Sequence, residues 1–214
     1  MYCKLQKQVR RVLARLSGIA LSRGLGRGRC VAGRKCGEGG WGTMPLFLLY
    51  VKADMENCTD FGPASDESHW WTLDLKQSDG PEERSGVAVS SSESVELKGN
   101  TSETANFVMK WSEKKFCSIN VVQVKGVTRR VTAEDVENQA YVPLVGFECR
   151  GCEPTRWDPG SGYTCKSTKG ARFDDIDLSE GEWMDYDADH DLSVLIENVQ
   201  HKFELHKEGK KGKK

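Results

Sequence analysis

Short runs that alternate apolar and polar residues recur from residue 44 onward, with polar loops between them. The stretch "LFLLYVKADMENC" (46–58) opens apolar and passes into alternation, and "WWTLDLK" (70–76) alternates aromatic and aliphatic residues with polar ones. Both patterns predict β-strands. The pattern also predicts a hairpin over 106–127 turning at Ser112–Lys115, and strands in "AYVPLVGFEC" (140–149) and "LSVLIENVQHKFEL" (192–205). With no long amphipathic helix between them, these signals predict a mostly-β domain over 44–206.

Two stretches predict loops instead. Turn-forming residues mark "QSDGPEERSG" (77–86). The longer stretch, 160–191, is rich in Gly and in acidic residues and predicts a loop-rich region. Its acidic part lacks the spacing of a calcium-binding loop. We expect a solvated acidic loop held by four buried anchors: Phe173, Ile176, Trp183 and Tyr186.

Charge is divided unevenly along a chain whose formal net charge is −1. Residues 1–43 carry ten Lys/Arg and one acid, so the remaining residues carry a balance of −10. An acidic body disfavours nucleic acid as a partner. The basic, Gly/Arg-rich segment 1–43 predicts a disordered or short-helical extension, either a leader before Met44 or a mitochondrial transit peptide. Residues 207–214 predict a basic tail, and no apolar run is long enough to span a membrane.

Cysteine usage indicates a reducing compartment. The chain has eight cysteines and no secretory signal pattern, so we expect free or metal-bound thiols and a cytoplasmic location, or a mitochondrial one if 1–43 is a transit peptide. Cys149 and Cys152 form the one Cys-x-x-Cys. Such a pair can be two structural thiols at a strand end, a redox dithiol, or part of a relocated metal site. No helix start or βαβ pattern surrounds it, which favours the structural interpretation.

The second half of the body resembles a known family. The stretch "FECRGCEP" (147–154) is followed by Gly170, Phe173 and "DIDL" (175–178), and then by "WMDYD" (183–187). Together with the opening "LYVKADMENCTDF" (49–61), these motifs resemble the eukaryotic CXXC-motif-containing zinc-binding protein family. The resemblance implies a mostly-β fold of two pseudosymmetric halves. A faint echo between "MENCTDF" (55–61) and "FECRGCEP" agrees with that duplication.

The same resemblance implies one structural zinc held by two Cys-x-x-Cys pairs in the first half. Aligned on the family, those four positions fall near Gln77, Gly80, Trp111 and Lys114, and none is Cys. Such side chains cannot form a zinc cage, and Cys117 is at best a remnant of it. By the same alignment, Cys149 is not one of the family's ligands and Cys152 replaces a bulky apolar residue. We therefore expect no cofactor and assign no catalytic, cofactor-binding or metal-binding residue.

These observations predict a non-enzymatic protein-interaction module whose zinc site has degenerated. The sequence holds no nucleophile motif, phosphate-binding loop or zinc-protease motif. The family resemblance implies a heavy-metal-associated copper-chaperone domain as the protein partner. The alternative is a thiol redox or metal-handling protein that uses Cys149 and Cys152.

Overall fold

The structure is a computed structural model that describes residues 44–97 and 104–207. The predicted extension at 1–43 and the predicted tail beyond Lys207 lie outside those residues. The described chain is mostly β, as the sequence predicts, and its single helix, α1 (Ala133–Glu137), is short. Its strands are β1 (Leu46–Glu56), β2 (Cys58–Pro63), β3 (Trp71–Gln77), β4 (Glu83–Val89), β5 (Val95–Glu96), β6 (Thr104–Ala105), β7 (Phe107–Lys110), β8 (Phe116–Val122), β9 (Val142–Arg150), β10 (Cys152–Asp158), β11 (Ser161–Ser167), β12 (Arg172–Asp177), β13 (Trp183–Asp187) and β14 (Leu192–His206).

The strand order relates the two halves of the chain by a pseudo-twofold. A six-stranded sheet runs β13-β14-β1-β9-β8-β7, and two three-stranded sheets run β10-β3-β4 and β12-β11-β2. Exchanging β1 with β9, β2 with β10, β3 with β11, β4 with β12, β7 with β13 and β8 with β14 reproduces every one of these orders. The predicted pseudosymmetric halves are therefore present, and only the small β5-β6 pair lies outside the relation.

Each half contributes one strand to a sheet of the other half. Strand β2 follows β1 but pairs with β11, and β10 follows β9 but pairs with β3. In each half, one residue of positive φ separates the exchanged strand from the strand before it. Asn57 (φ 55) lies between β1 and β2, and Gly151 (φ 73) lies between β9 and β10. Cys58, the first residue of β2, pairs with Ser167, the last residue of β11. Cys152, the first residue of β10, pairs in the same way with Gln77, the last residue of β3.

Aromatic residues from both halves pack in the core between the sheets. Trp71, Trp157 and Tyr163 are almost fully buried, and so are Phe61 and Phe147. Within this cluster the His69 ring lies 4.5 Å from the Trp71 ring and 4.6 Å from the Tyr163 ring, measured between centroids. Burial lowers the pKa of His69 to about 4, so this ring is neutral at physiological pH.

The predicted loop-rich stretch 160–191 is wrong, because it forms β11, β12 and β13. Irregular pairing hides its periodicity: the β11–β12 register shifts twice, and Asp175 has a φ of 58°. Ile176 is buried as predicted, whereas Tyr186 is 50% exposed and is not an anchor. The predicted turn at 77–86 is likewise too long, since β4 begins at Glu83.

A short connection between the halves is fixed by two arginines. Thr132 caps α1, and the α1 residue Asp135 accepts two hydrogen bonds from the Arg129 guanidinium at 2.5 and 2.6 Å. Arg130 donates to backbone carbonyls of β2 and to the Thr164 carbonyl of β11. It therefore stabilises the joint where the first half's β2 pairs with the second half. In the described residues, no helix has the length and apolar character needed to cross a membrane.

Candidate functional site

The four positions that the family resemblance assigns to zinc lie in two loops at one end of the first half. Gln77 ends β3 and Gly80 lies in the following turn; Trp111 directly follows β7 and Lys114 lies in the β7–β8 turn. The loops meet, because Lys115 Nζ donates a hydrogen bond to the Asp79 carbonyl at 3.0 Å. The structure therefore brings together the two segments that the resemblance pairs.

In the first loop, the Gln77 side chain is buried and folds over the turn. A Cβ placed on Gly80 would overlap Gln77 Oε1. The amide of Gln77 thus fills the space that a side chain at position 80 would need. Only a residue without a side chain fits there while Gln77 keeps this conformation.

In the second loop, Trp111 is tied to the turn between β9 and β10. Its indole Nε1–H donates to the Gly151 carbonyl at 3.0 Å, and the Ser78 backbone N–H donates to the same carbonyl at 3.4 Å. Gly151 has positive φ, and a Cβ there would overlap the Phe116 carbonyl oxygen. Gly151 therefore joins the loop after β3 to the loop after β7.

Zinc does not fit this donor set. A structural zinc site needs four thiolate or imidazole ligands at tetrahedral spacing. Here Gln77 supplies an amide, Gly80 supplies no side chain, Trp111 already donates its only polar hydrogen, and Lys114 is cationic. The described residues also contain no cluster of three or more His, Cys, Asp or Glu side chains suited to a metal ion.

Three thiols lie behind these loops. Cys117, Cys149 and Cys152 are all 1% exposed or less, and Cys152 in β10 pairs with Gln77 in β3. A side-chain contact with Cys152, together with burial, raises the pKa of the Cys117 thiol. Contact with Cys117 lowers the pKa of Cys152, but contact with Cys149 and burial outweigh it and raise that pKa. Raised thiol pKa values disfavour the thiolate, which is the form that attacks disulfides and binds metals.

The second half has its own contact at the equivalent place. Ser167, the counterpart of Gln77, donates its hydroxyl to Asp187 Oδ2 at 2.8 Å, and His190 Nδ1 lies 2.9 Å from the same oxygen. The Ser167 hydroxyl oxygen also accepts from the backbone N–H of Ala171 at 3.1 Å. Asp187 therefore joins the loop after β11 to the loop after β13, as Gly151 joins the loops of the first half.

The Ser167–Asp187–His190 cluster links two loops and does not have the arrangement of a hydrolytic triad. Burial opposes ionisation of Asp187, but hydrogen bonds from Ser167 and His190 outweigh it and lower the pKa of the carboxyl. A hydrolytic triad needs the His between the Asp and the Ser, whereas here the Asp lies between the other two. Sequence reasoning missed this cluster. Its one signal is the spacing Asp187-x-x-His190, which equals the spacing of a Cys-x-x-Cys pair.

Comparisons with known proteins agree with the fold and the motifs. The family model described as "CXXC motif containing zinc binding protein, eukaryotic" matches residues 48–204. The relatives named "CXXC motif containing zinc binding protein" include one from Homo sapiens, 33% identical over 163 residues, covering 75% of this chain and 98% of the relative. One from Xenopus laevis is 33% identical over 164 residues, covering 75% and 98% respectively.

Solved structures share the architecture. "Crystal Structure of C1orf123" matches with a TM-score of 0.67 at 32% identity, covering 75% of this chain and 99% of that chain. "Hypothetical protein from plasmodium falciparum" matches with the same TM-score at 27% identity, covering 74% and 99%. The fold and its motifs define a mostly-β protein built from two halves that exchange a strand. The chain belongs to the eukaryotic CXXC-motif-containing zinc-binding protein family.

Proposed function

We propose that this chain is a non-enzymatic protein-binding member of its family that folds and works without zinc. The observation that carries the proposal is the end of the first half. The family scaffold is present, but the two loops expected to hold zinc are joined through Ser78, Trp111 and the Gly151 carbonyl. Hydrogen bonds at this end take the structural part that four zinc–thiolate bonds play elsewhere.

Three features support a binding role over a catalytic one. The thiols of the described residues are buried, the Ser167–Asp187–His190 cluster has the wrong order for a nucleophile, and no motif of phosphate or dinucleotide chemistry occurs in the sequence. The first candidate partner is the heavy-metal-associated copper-chaperone domain implied by the family resemblance. We also propose a cytoplasmic location, and mitochondrial import of a reporter fused to residues 1–43 would contradict it.

The alternative function rests on a specific contact, that of the three thiols Cys117, Cys149 and Cys152. Their proximity would suit a redox or metal-handling site if the thiols could ionise and be reached. Burial of all three thiols weighs against access, and the raised pKa values of Cys117 and Cys152 weigh against ionisation of those two. A native-state alkylation experiment separates the two functions: a structural role keeps these thiols protected until the chain unfolds.

The test of the proposal is metal content and chelator sensitivity of the full chain purified from zinc-supplemented cells. We expect far less than one zinc per chain by elemental analysis, and a melting temperature that a strong chelator leaves unchanged. The human relative, measured in parallel, is the control. Immobilised protein is then offered the copper-chaperone domain, and we expect saturable binding without added zinc.

Two results would contradict the proposal. One is a tightly held zinc in every chain whose removal unfolds the protein. The other is rapid alkylation of Cys149 or Cys152 in the native state, with loss of a bound metal or of a redox-dependent partner. Either result would favour the thiol function instead.

A further inference from the structure

Strand β13 is an open edge of the six-stranded sheet. It pairs with β14 on one side, from Trp183↔Ile196 to Asp187↔Leu192. Among the described residues no strand pairs with its other side. Half of the backbone N–H and C=O groups of such a strand point outward and can pair with another extended chain.

The structure holds this open strand firmly in place. The Trp183 ring packs edge-on against Phe173 of β12, with centroids 5.5 Å apart. At the other end, buried Asp187 is bonded to Ser167 of β11. A strand anchored at both ends loses little conformational freedom when a partner pairs with it.

One face of β13 is apolar and exposed. Met184 is 73% exposed and Tyr186 is 50% exposed. The two residues are two positions apart, so both side chains lie on the same face of the strand. Half-buried Leu195 of β14 pairs with Met184 and continues this face. We call Met184, Tyr186 and Leu195 the β13 face.

Acidic residues surround the β13 face. Residues 173–191 contain nine Asp or Glu and no Lys or Arg. Within the described structure only Asp187 of the nine is buried. The exposed members are Asp174, Asp175, Asp177, Glu180, Glu182, Asp185, Asp189 and Asp191. A field of one sign around an apolar strand selects an oppositely charged partner.

We propose that β13 is the docking edge of this protein, and that its occupant is an extended basic segment of a protein partner. The segment adds a strand to β13, placing apolar side chains on the β13 face and Lys or Arg on the opposite face beside Asp185. Backbone pairing supplies affinity, and the alternation of apolar and basic residues supplies specificity. This inference rests on the proposed binding function and names the surface and the chemistry of the partner.

A second copy of this chain is another candidate occupant of an open edge. Pairing two β13 strands would bring two identical acidic segments together, each with nine carboxylates, of which Asp174 pairs with Arg172 and Asp187 with His190. Like charges at such an edge oppose association. Charge therefore favours the basic segment over a dimer.

The probe is a short fluorescent peptide in which Lys alternates with Val and Phe, titrated with the full chain and followed by anisotropy. We expect saturable binding that weakens about tenfold between roughly 50 and 500 mM NaCl. The version with Glu in place of every Lys should not bind. Backbone N-methylation on alternate residues should abolish binding for one of the two sets and leave the other set active, because a strand pairs along one edge only.

Matched variants locate the site. The double substitution Met184→Ser/Tyr186→Ser should weaken binding about tenfold, whereas Leu205→Ser on β14, which removes an apolar residue as exposed as Tyr186, should not. Glu182→Gln/Asp185→Asn should weaken it several-fold, and Glu82→Gln/Glu83→Gln should not. These side chains are exposed, so unchanged melting temperatures check that each variant is folded.

The proposal is overturned if the peptide fails to bind, if both N-methylated sets bind equally, or if the β13 variants bind as well as the parent. Sedimentation showing a dimer that Met184→Ser/Tyr186→Ser dissolves would also overturn it, in favour of self-association. None of these results touches the proposed function, which zinc content and capture of the copper-chaperone domain test separately. A zinc-dependent fold would conversely remove the proposed function while leaving the peptide result standing.

Discussion

At the scale of single residues, His69 makes stability depend on pH. Its ring is packed between Trp71 and Tyr163, and no polar group of the described chain reaches its Nε2. Protonating it in the folded state would place a charge among aromatic rings. The folded pKa is about 4, against about 6.5 for an exposed imidazole, because burial disfavours the charged form.

We therefore predict an acid-side loss of stability from this residue. Below about pH 6.5, His69 binds a proton in the unfolded chain but not in the folded chain. The free energy of unfolding therefore decreases as the pH is lowered, and it levels off near pH 4. The full effect is about 3 kcal/mol. Urea unfolding at a series of pH values should show a shallower dependence for His69→Phe than for the parent. The control is His206→Gln, which should keep the pH dependence of the parent. The assignment would be disproved if His206→Gln reduced that dependence as much as His69→Phe, or if His69→Phe left it unchanged.

Sequence patterns identified some buried positions but not the environment of each. Ile176 was predictable as a buried residue because it is an apolar side chain in an otherwise acidic stretch. The prediction that Tyr186 is buried was wrong. An aromatic residue in an acidic stretch can lie on either face of a strand, and only the pairing with β14 decides which face it takes. The burial of Cys149 agrees with a structural thiol. The contact of Cys152 with Cys117 joins β10 to β8, two strands that are far apart in sequence.

At the scale of elements, the two loops at the end of the first half contact each other but lack the ligands of a zinc site. Lys115 reaches Asp79, and Gly151 joins Trp111 to Ser78. Loops already held together need little rearrangement to share one ion. Restoring the thiols should therefore restore the metal.

We predict that Gln77→Cys, Gly80→Cys, Trp111→Cys and Lys114→Cys introduced together create a site for one zinc per chain. Cobalt binding should give the absorption of a tetrahedral thiolate complex, and zinc should raise the melting temperature. The control is the triple variant that keeps Gly80, which lacks one ligand. Equal metal binding by the triple and quadruple variants, or none by the quadruple, would show that the loops are not placed as a cage.

Elements with regular alternation were predictable, and those with interrupted pairing were not. Strands β1, β3, β9 and β14 carry long apolar patterns, and the β7–β8 hairpin was recognised with its turn at Ser112–Lys115. Strands β11 to β13 escaped because register shifts and Asp175 break their period, and because their outer faces are acidic. The Ser167–Asp187–His190 cluster escaped for a further reason: it exists only once β11 and β13 have been placed side by side.

At the scale of the whole molecule, the exchange of β2 and β10 makes each half depend on the other. Strand β11 needs β2 and strand β3 needs β10 to complete their sheets, and β1 and β9 pair at the middle of the large sheet. The pseudosymmetry itself was suggested by the echo of two short motifs, but sequence alone could not show which strands are exchanged. Strand pairing between distant segments leaves no local trace in composition.

We predict that the chain cut between Lys125 and Gly126, in an exposed turn between the halves, reassembles from its pieces. Residues 1–125 and 126–214, produced separately, should lack a cooperative unfolding transition, since each presents a sheet without one of its strands. Produced together, they should co-purify through a tag on one piece and unfold in one transition. A cooperative transition in either isolated piece would show that the halves are independent domains.

The exchanged strands are also consistent with an origin by duplication and fusion of a half-length chain. Two separate copies of a half-length ancestor, each lending its second strand to the other, would form the same three sheets as a symmetric dimer. In such a dimer the two loop ends are encoded once and must stay alike. Fusion into one gene frees them, so that one end can become a contact between a tryptophan and a glycine carbonyl and the other a serine, aspartate and histidine contact. This chain carries two outcomes of that freedom, neither of which keeps a pair of cysteines.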